Sequence, residues 1–143
     1  MVDSALLAQR VAAVRDAVVR IRTMLPAEAA DLEADRTARE VVVLNLFVAL
    51  QECLSLASHW LADEGWEIPS AYGQMFLVLA EHGVIDAPLA SRLAAAAGFR
   101  NLIAHRYGAL DYRRIHAIAS EDLDDLLAFC ATLARAVHEG PGA

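Results

Sequence analysis

Apolar residues recur at every third and fourth position along most of this chain, the spacing that places them on one face of an α-helix. The pattern predicts a first helix from Ser4, which we expect to be its N-cap, to Met24. A second helical region extends from about Ala27 to Glu64, and Asp35 is a candidate break within it. Because its apolar positions are the most numerous, we expect this region to be the central core helix.

Glycine and proline separate the remaining helices. The segment 65–69 (GWEIP) is predicted to be a loop, after which Ser70 is expected to cap a short helix that stops at Gly83. Asp86, with a proline two residues later, is the next start signal, and its helix runs into Ile103. The polar segment RNLIAHRY lies near the end of that helix.

The last helix is predicted to open at Asp111, after a break at Gly108, and to continue to Gly140. No stretch alternates with a period of two over a useful length, so no sheet is expected. Residues 1–143 are therefore predicted to form a single all-α domain, an antiparallel bundle of about five helices.

The composition is unusually apolar for a chain of this kind, with 57% hydrophobic residues and a mean hydropathy of +0.37. The longest apolar run, from Val41 to Leu50, is interrupted by Asn45 and is shorter than the roughly 20 residues that span a bilayer. We therefore expect no membrane association. The apolar excess indicates helices that bury more than one face, partly in a subunit interface, and an oligomer is expected.

The N-terminal sequence and the cysteines both indicate the cytoplasm. The start MVDSALLAQR has an acid at its third position and no basic region before an apolar stretch, so it does not resemble a signal peptide. Cys53 and Cys130 are the only cysteines, and each lies in an apolar helical context. We expect both to be core residues in a reducing compartment.

The charge excludes one class of function. A net charge of −7 and a pI near 5.1 argue against sequence-blind binding of nucleic acid over a broad basic surface. A polyanion would need a local basic cleft. All 12 basic residues are arginines, and four of them lie within fifteen positions: Arg100, Arg106, Arg113 and Arg114.

Familiar catalytic signatures are missing from the sequence. It contains no P-loop, dinucleotide-binding glycine pattern, HExxH or nucleophile elbow. No two of the five histidines have the three- or four-residue spacing that would place two metal ligands on one helical face. We expect neither a metal ion nor a cofactor.

RNLIAHRY combines three polar groups of complementary chemistry in an otherwise apolar helix. Asn101 and His105 are four residues apart and share a face, and Arg100 is one step round the helix. A purely structural interpretation stays open: Asn101 would hydrogen-bond His105, Arg100 would pair with an acid, and Tyr107 would pack at the helix end. The alternative is a reaction site.

This segment resembles the R-N-x-x-x-H motif of the HEPN superfamily, and with a tyrosine two residues after the histidine it resembles the HepT toxins of bacterial and archaeal toxin–antitoxin pairs. The likeness extends over nearly the whole chain, through DRTARE, IPSAYGQMFLVLAEHGVID and the LDYRRI start of the acid-rich last helix. The resemblance implies an all-α HEPN-like fold and a homodimer whose two motifs face one cleft.

The resemblance also implies an activity, metal-independent cleavage of RNA in which a ribose 2′-OH attacks its neighbouring phosphate. His105 would transfer protons near neutral pH, Arg100 would hold phosphate oxygens, and Asn101 would orient the histidine or the phosphate. One histidine cannot easily be acid and base in the same step, so two copies of His105 would share those roles. The substrate would be mRNA or tRNA.

The partner that the resemblance implies is a minimal nucleotidyltransferase antitoxin, as in type II or type VII-like modules. It would add AMP to Tyr107, and the added charge would repel RNA. Arg106, Arg113 and Arg114 are further candidates for RNA binding. Two alternatives remain: a non-catalytic module that binds a nucleotide and the nucleotidyltransferase, and a metal-dependent nuclease, which the histidine spacing disfavours.

Overall fold

A computed structural model of the chain describes residues 3–105 and 109–139. The described residues are all-α, as predicted, with seven helices and no strand. The helices are α1 (Ser4–Met24), α2 (Ala29–Ala34), α3 (Arg36–Glu64), α4 (Gln74–Glu81), α5 (Ala87–His105), α6 (Tyr112–Glu121) and α7 (Leu123–Glu139).

The central position of α3 confirms the core helix predicted from the sequence. It contacts each of the other six helices, most extensively α1. Its buried side chains include Val42, Leu46, Leu56 and Leu61, each of which is almost fully shielded from solvent. By length and composition α3 could cross a membrane, but half of its most apolar stretch is buried within this chain. The core of the bundle therefore accounts for about half of the apolar stretch of α3.

Two helix starts test the predictions of capping residues. Asp35 caps α3 by accepting a hydrogen bond from the Ala38 N–H at 3.1 Å, which confirms the break at this position. The N-cap of α1 is Asp3, whose carboxylate accepts from the Ala5 N–H at 2.9 Å, and the prediction of Ser4 was wrong by one residue. An ionised carboxylate is a strong acceptor at a helix N-terminus, where the dipole favours negative charge.

Ser70 does not cap α4, so that prediction was wrong. The helix begins at Gln74, and Gly73 occupies the N-cap position. A Cβ atom at Gly73 would lie 3.0 Å from the backbone oxygen of Ala94 in α5. The chain before α4 thus approaches α5 so closely that tertiary packing decides where the helix starts, whereas the glycine stop at Gly83 is confirmed by its positive φ of 77°.

The estimate of about five helices was too low because two predicted helical regions are each divided. Asp35 separates α2 from α3, and Asp122 separates α6 from α7. Because of the second division, α6 packs against α2 while α7 packs against α1. One straight helix would not contact both α1 and α2. Asp111 caps α6, as predicted, by accepting from the Arg113 N–H at 3.0 Å.

Gly98 offers a stability test within α5. A Cβ atom added there would meet nothing within 4 Å. Since glycine in a helix interior is about 0.8–1.0 kcal/mol less favourable than alanine, Gly98→Ala is expected to raise the free energy of unfolding by about 1 kcal/mol in urea denaturation. Gly73→Ala is the matched control and is expected to destabilise the fold, because its Cβ would press on backbone. A loss of stability in Gly98→Ala would contradict the prediction.

Candidate functional site

Arg100 is held in place by residues from two other parts of the bundle. Its guanidinium carbon lies 5.4 Å from the ring centroid of Phe47 in α3 and 5.5 Å from that of Tyr72 in the segment before α4. Its Nε donates a hydrogen bond to Oε1 of Gln51, also in α3, at 2.9 Å. Contacts to two aromatic rings and one amide restrict a side chain that is otherwise flexible.

The charge of Arg100 is not neutralised by any carboxylate within residues 3–105 and 109–139. Its second polar contact is a hydrogen bond from NH1 to Oδ1 of Asn101, at 3.1 Å. The guanidinium therefore keeps several N–H groups for an anion. In contrast, six other arginines of the described chain lie within 4.0 Å of a carboxylate: Arg10, Arg20, Arg22, Arg36, Arg92 and Arg113.

Asn101 and His105 lie on the solvent-exposed side of the last turns of α5, one helical turn apart. Asn101 hydrogen-bonds Arg100, and His105 has no hydrogen bond or ion pair to any described residue. The purely structural pairing of Asn101 with His105, and of Arg100 with an acid, is therefore wrong. An arginine, an amide and an imidazole that bonds no described residue therefore lie within the last six residues of α5.

The remaining predicted site residues are not part of this contact. Arg113 is exposed at the start of α6, with its Nε 3.9 Å from Oδ1 of Asp111. The guanidinium carbon of Arg114 lies 5.6 Å from the ring centroid of Phe99. Neither arginine contacts Arg100 in the described structure. Arg106 and Tyr107 lie outside the described residues.

Sequence reasoning missed the three residues that position Arg100: Phe47, Gln51 and Tyr72. They are distant from the motif in sequence, and a linear pattern cannot show that they meet it. One signal was present, because Gln51 is a polar residue that interrupts the apolar run VALQECL of the core helix. A glutamine within an apolar run of a core helix indicates a hydrogen-bond partner for its side-chain amide.

Neither of the two cysteines is among the contacts of Arg100. Cys53 of α3 and Cys130 of α7 are both buried, as predicted, and both are free thiols. The hydrogen bond to Cys130, together with burial, raises the pKa of the Cys53 thiol well above its ordinary value, so it is protonated at neutral pH. Within the part of the chain that the structure describes, no three His, Cys, Asp or Glu residues lie close enough to hold a metal ion.

Solved structures share this fold. A toxin–antitoxin complex with AMP-PNP aligns with a TM-score of 0.84 at 22% identity, over 92% of this chain and 99% of that chain. The tri-AMPylated HEPN toxin of Shewanella oneidensis, in complex with an MNT antitoxin, gives 0.83 at 24% identity, over 95% and 100%. YutE of Bacillus subtilis, a cytosolic protein of unknown function, gives 0.85 at 10% identity, over 99% and 95%. These likenesses establish a HEPN-like fold.

The sequence comparisons go further than the fold. The mRNA nuclease HepT of Shewanella oneidensis is 25% identical over 120 residues, which cover 84% of this chain and 90% of that protein. The HepT-like ribonuclease family matches residues 14–133, a range that includes Arg100, Asn101 and His105. With that match over most of its length, the chain belongs to the HepT-like ribonuclease family.

Proposed function

We propose that this chain is a toxin that cleaves RNA without a metal ion and is neutralised by a nucleotidyltransferase antitoxin. The observation that carries the proposal is the state of Arg100: no described carboxylate neutralises its charge, and it donates a hydrogen bond to Asn101. The exposed His105 lies one helical turn after Asn101. Family membership supports ribonuclease activity, and the relative from Shewanella oneidensis is an mRNA nuclease. Messenger RNA in the cytoplasm is therefore the favoured substrate, with tRNA as the second choice.

The proposed reaction is an internal transfer at phosphorus. A ribose 2′-OH loses its proton to one imidazole, and its oxygen forms a bond to the adjacent phosphorus. The bond from phosphorus to the 5′-oxygen of the next nucleotide breaks, and that oxygen receives a proton from a second imidazole. Arg100 stabilises the negative charge that accumulates on the phosphate oxygens, while Asn101 orients Arg100 or the phosphate. The products carry a 2′,3′-cyclic phosphate and a 5′-hydroxyl.

A homodimer supplies the second imidazole in this proposal. Next to the motif, α3 and α5 form an apolar groove of about 390 Å³ whose lining includes Leu44, Phe47 and Ile103. Leu44 is 61% exposed there, and Leu102 of α5 is also exposed. This exposed apolar surface supports the proposal of a subunit interface. A second copy seated on the groove would bring two His105 and two Arg100 side chains towards one cleft, which would be basic in an otherwise acidic protein.

Neutralisation is proposed to act through Tyr107. The support is the tri-AMPylated state of the Shewanella oneidensis toxin in its complex with an MNT antitoxin. Tyr107 follows His105 by two residues in sequence, and an attached AMP would add a phosphate group to this segment. That phosphate would compete with RNA for the guanidinium and repel the RNA backbone. Arg106, Arg113 and Arg114 are proposed to contact RNA beyond the reacting phosphate.

The proposed function is tested with the purified chain, a 5′-labelled RNA and excess EDTA. Because no step uses a metal ion, cleavage is expected at an unchanged rate in EDTA. The fragments are expected to end in 2′,3′-cyclic phosphate. With a 5′-fluorescent label, their gel mobility is expected to be unchanged by phosphatase alone and to shift after acid opens the cyclic phosphate and phosphatase removes it. Loss of cleavage in EDTA would identify a metal-dependent nuclease. A purified chain that binds the nucleotidyltransferase and cleaves no RNA would instead be a non-catalytic module.

The antitoxin forms the second arm of the same experiment. The chain is co-expressed and co-purified with an MNT-type nucleotidyltransferase antitoxin, and mass spectrometry of the tryptic peptides is expected to locate AMP on Tyr107. The modified protein is expected to have lost its cleavage activity. Full activity of the modified protein would contradict this role of Tyr107.

A further inference from the structure

A cavity of about 230 Å³ lies beside Arg100, between α3 and the segment that precedes α4. Two of its lining residues, Gln51 and Tyr72, are also contacts of Arg100. Gln51 and Tyr72 therefore contact the guanidinium and also line the cavity. A ligand whose phosphate binds Arg100 would have its next chemical group at the cavity mouth.

The walls of this cavity carry polar groups without charge. None of the described residues that line it has an acidic or basic side chain. The hydroxyls of Ser55 and Ser58 have no hydrogen-bond partner among the described residues, and the amide N–H groups of Gln51 are also unused, since its oxygen accepts from Arg100. All three side chains are partly exposed. Such groups suit a neutral ligand with a hydrogen-bonding edge.

The cavity also offers surface for stacking. The side chain of Tyr72 is 51% exposed and that of Ile68 is 50% exposed, so a flat ligand can reach both. The volume is below the roughly 300 Å³ at which sites for drug-sized molecules begin, so it fits one ring system and not a whole nucleotide. Bases of single-stranded RNA are recognised in this way, by stacking on an aromatic ring and by hydrogen bonds at the base edge.

We propose that this cavity, the base pocket, binds the nucleobase next to the phosphate that Arg100 holds. The base stacks on Tyr72 and bonds to Ser55, Ser58 and the Gln51 amide, and the base pocket thereby selects the sequence that is cut. This inference rests on the proposed function, because it takes RNA as the ligand.

Binding is tested with RNA that cannot react. Oligonucleotides with 2′-O-methyl riboses carry 2-aminopurine at one position each, and quenching of its fluorescence reports stacking. Quenching is expected at a single position, and equimolar AMP is not expected to reverse it. Ser58→Leu, which fills the cavity, is expected to weaken this binding about tenfold. Ser91→Leu, at an exposed position on α5, is the matched control and is expected to bind as the wild type does.

Cleavage supplies an independent readout. The double variant Ser55→Ala/Ser58→Ala leaves the contacts of Arg100 intact, so its kcat is expected to change less than twofold, while its KM rises about tenfold and its sequence preference relaxes. A lowered kcat with unchanged preference would show that these serines act only through the fold. Circular dichroism checks that each variant is folded.

The outcomes separate the base pocket from the proposed function. If the wild type cleaves RNA but no position of the unreactive RNA is quenched, the base pocket is refuted and the ribonuclease assignment stands. If the wild type cleaves no RNA, the ribonuclease assignment fails, and the quenching pattern still decides whether RNA enters the cavity. Reversal of the quenching by equimolar AMP would assign the cavity to a free nucleotide and overturn the choice of RNA.

Discussion

His105→Ala is expected to lower the rate of RNA cleavage by about 10²- to 10⁴-fold, the range that general acid–base groups contribute. In a homodimer the substitution removes both imidazoles from the cleft, so acid and base are lost together. Because His105 is exposed and makes no hydrogen bond to a described residue, its loss is not expected to destabilise the fold. The measurement is the single-turnover rate on a labelled RNA.

The matched control for this variant is His59→Ala. His59 is also exposed and helical, but it lies in α3 and outside the contacts of Arg100. It is expected to retain the wild-type rate and the wild-type melting temperature. Unchanged cleavage in His105→Ala would remove His105 from the reaction, and growth inhibition that survives in that variant would require a toxic activity other than RNA cleavage.

Arg100→Lys is expected to reduce kcat by about 10²-fold or more, and Arg100→Ala by about 10³-fold, as for the loss of a group that stabilises transition-state charge. Lysine keeps the positive charge but lacks the planar fork that bonds Gln51, Asn101 and a phosphate at once. The effect is expected mainly in kcat, since the charge on the phosphate grows in the transition state. Initial rates over a range of RNA concentrations separate kcat from KM.

Arg135→Ala is the control for the loss of one positive charge, because Arg135 is exposed on α7 and bonds only Thr132 among the described residues. It is expected to cleave as the wild type does. If Arg100→Lys proved fully active, the geometry of the guanidinium would be irrelevant and Arg100 would act only as a distant charge. Equal losses in Arg100→Lys and Arg135→Ala would likewise contradict a specific contact.

The helices were largely predictable because their signals are local. Periodicity located the core helix, and Asp35 and Asp111 were recognised as break and cap from their own short neighbourhoods. The prediction of a helix start failed where contact with an element distant in sequence sets the boundary. Ser70 is chemically suited to cap a helix, yet the contact of Gly73 with α5 places the start of α4 further along.

Only those residues of the candidate site that lie close together in the sequence were predictable. The four-residue spacing of Asn101 and His105 follows from helical geometry, and the structure confirms that they share an exposed face. The contacts that orient Arg100 come from α3 and from the segment before α4, and no periodicity relates those positions to the motif. The reaction itself came from resemblance to a known family.

The attachment of Arg100 to α3 has a consequence for how such a gene can change under selection. The helix that supplies Gln51 and Phe47 is also the one on which every other helix packs. A cell that must escape the activity can therefore acquire substitutions in this helix that silence the protein while the motif residues are unaltered. An intact RNLIAHRY segment in a related protein is not by itself a sign that the protein is still active.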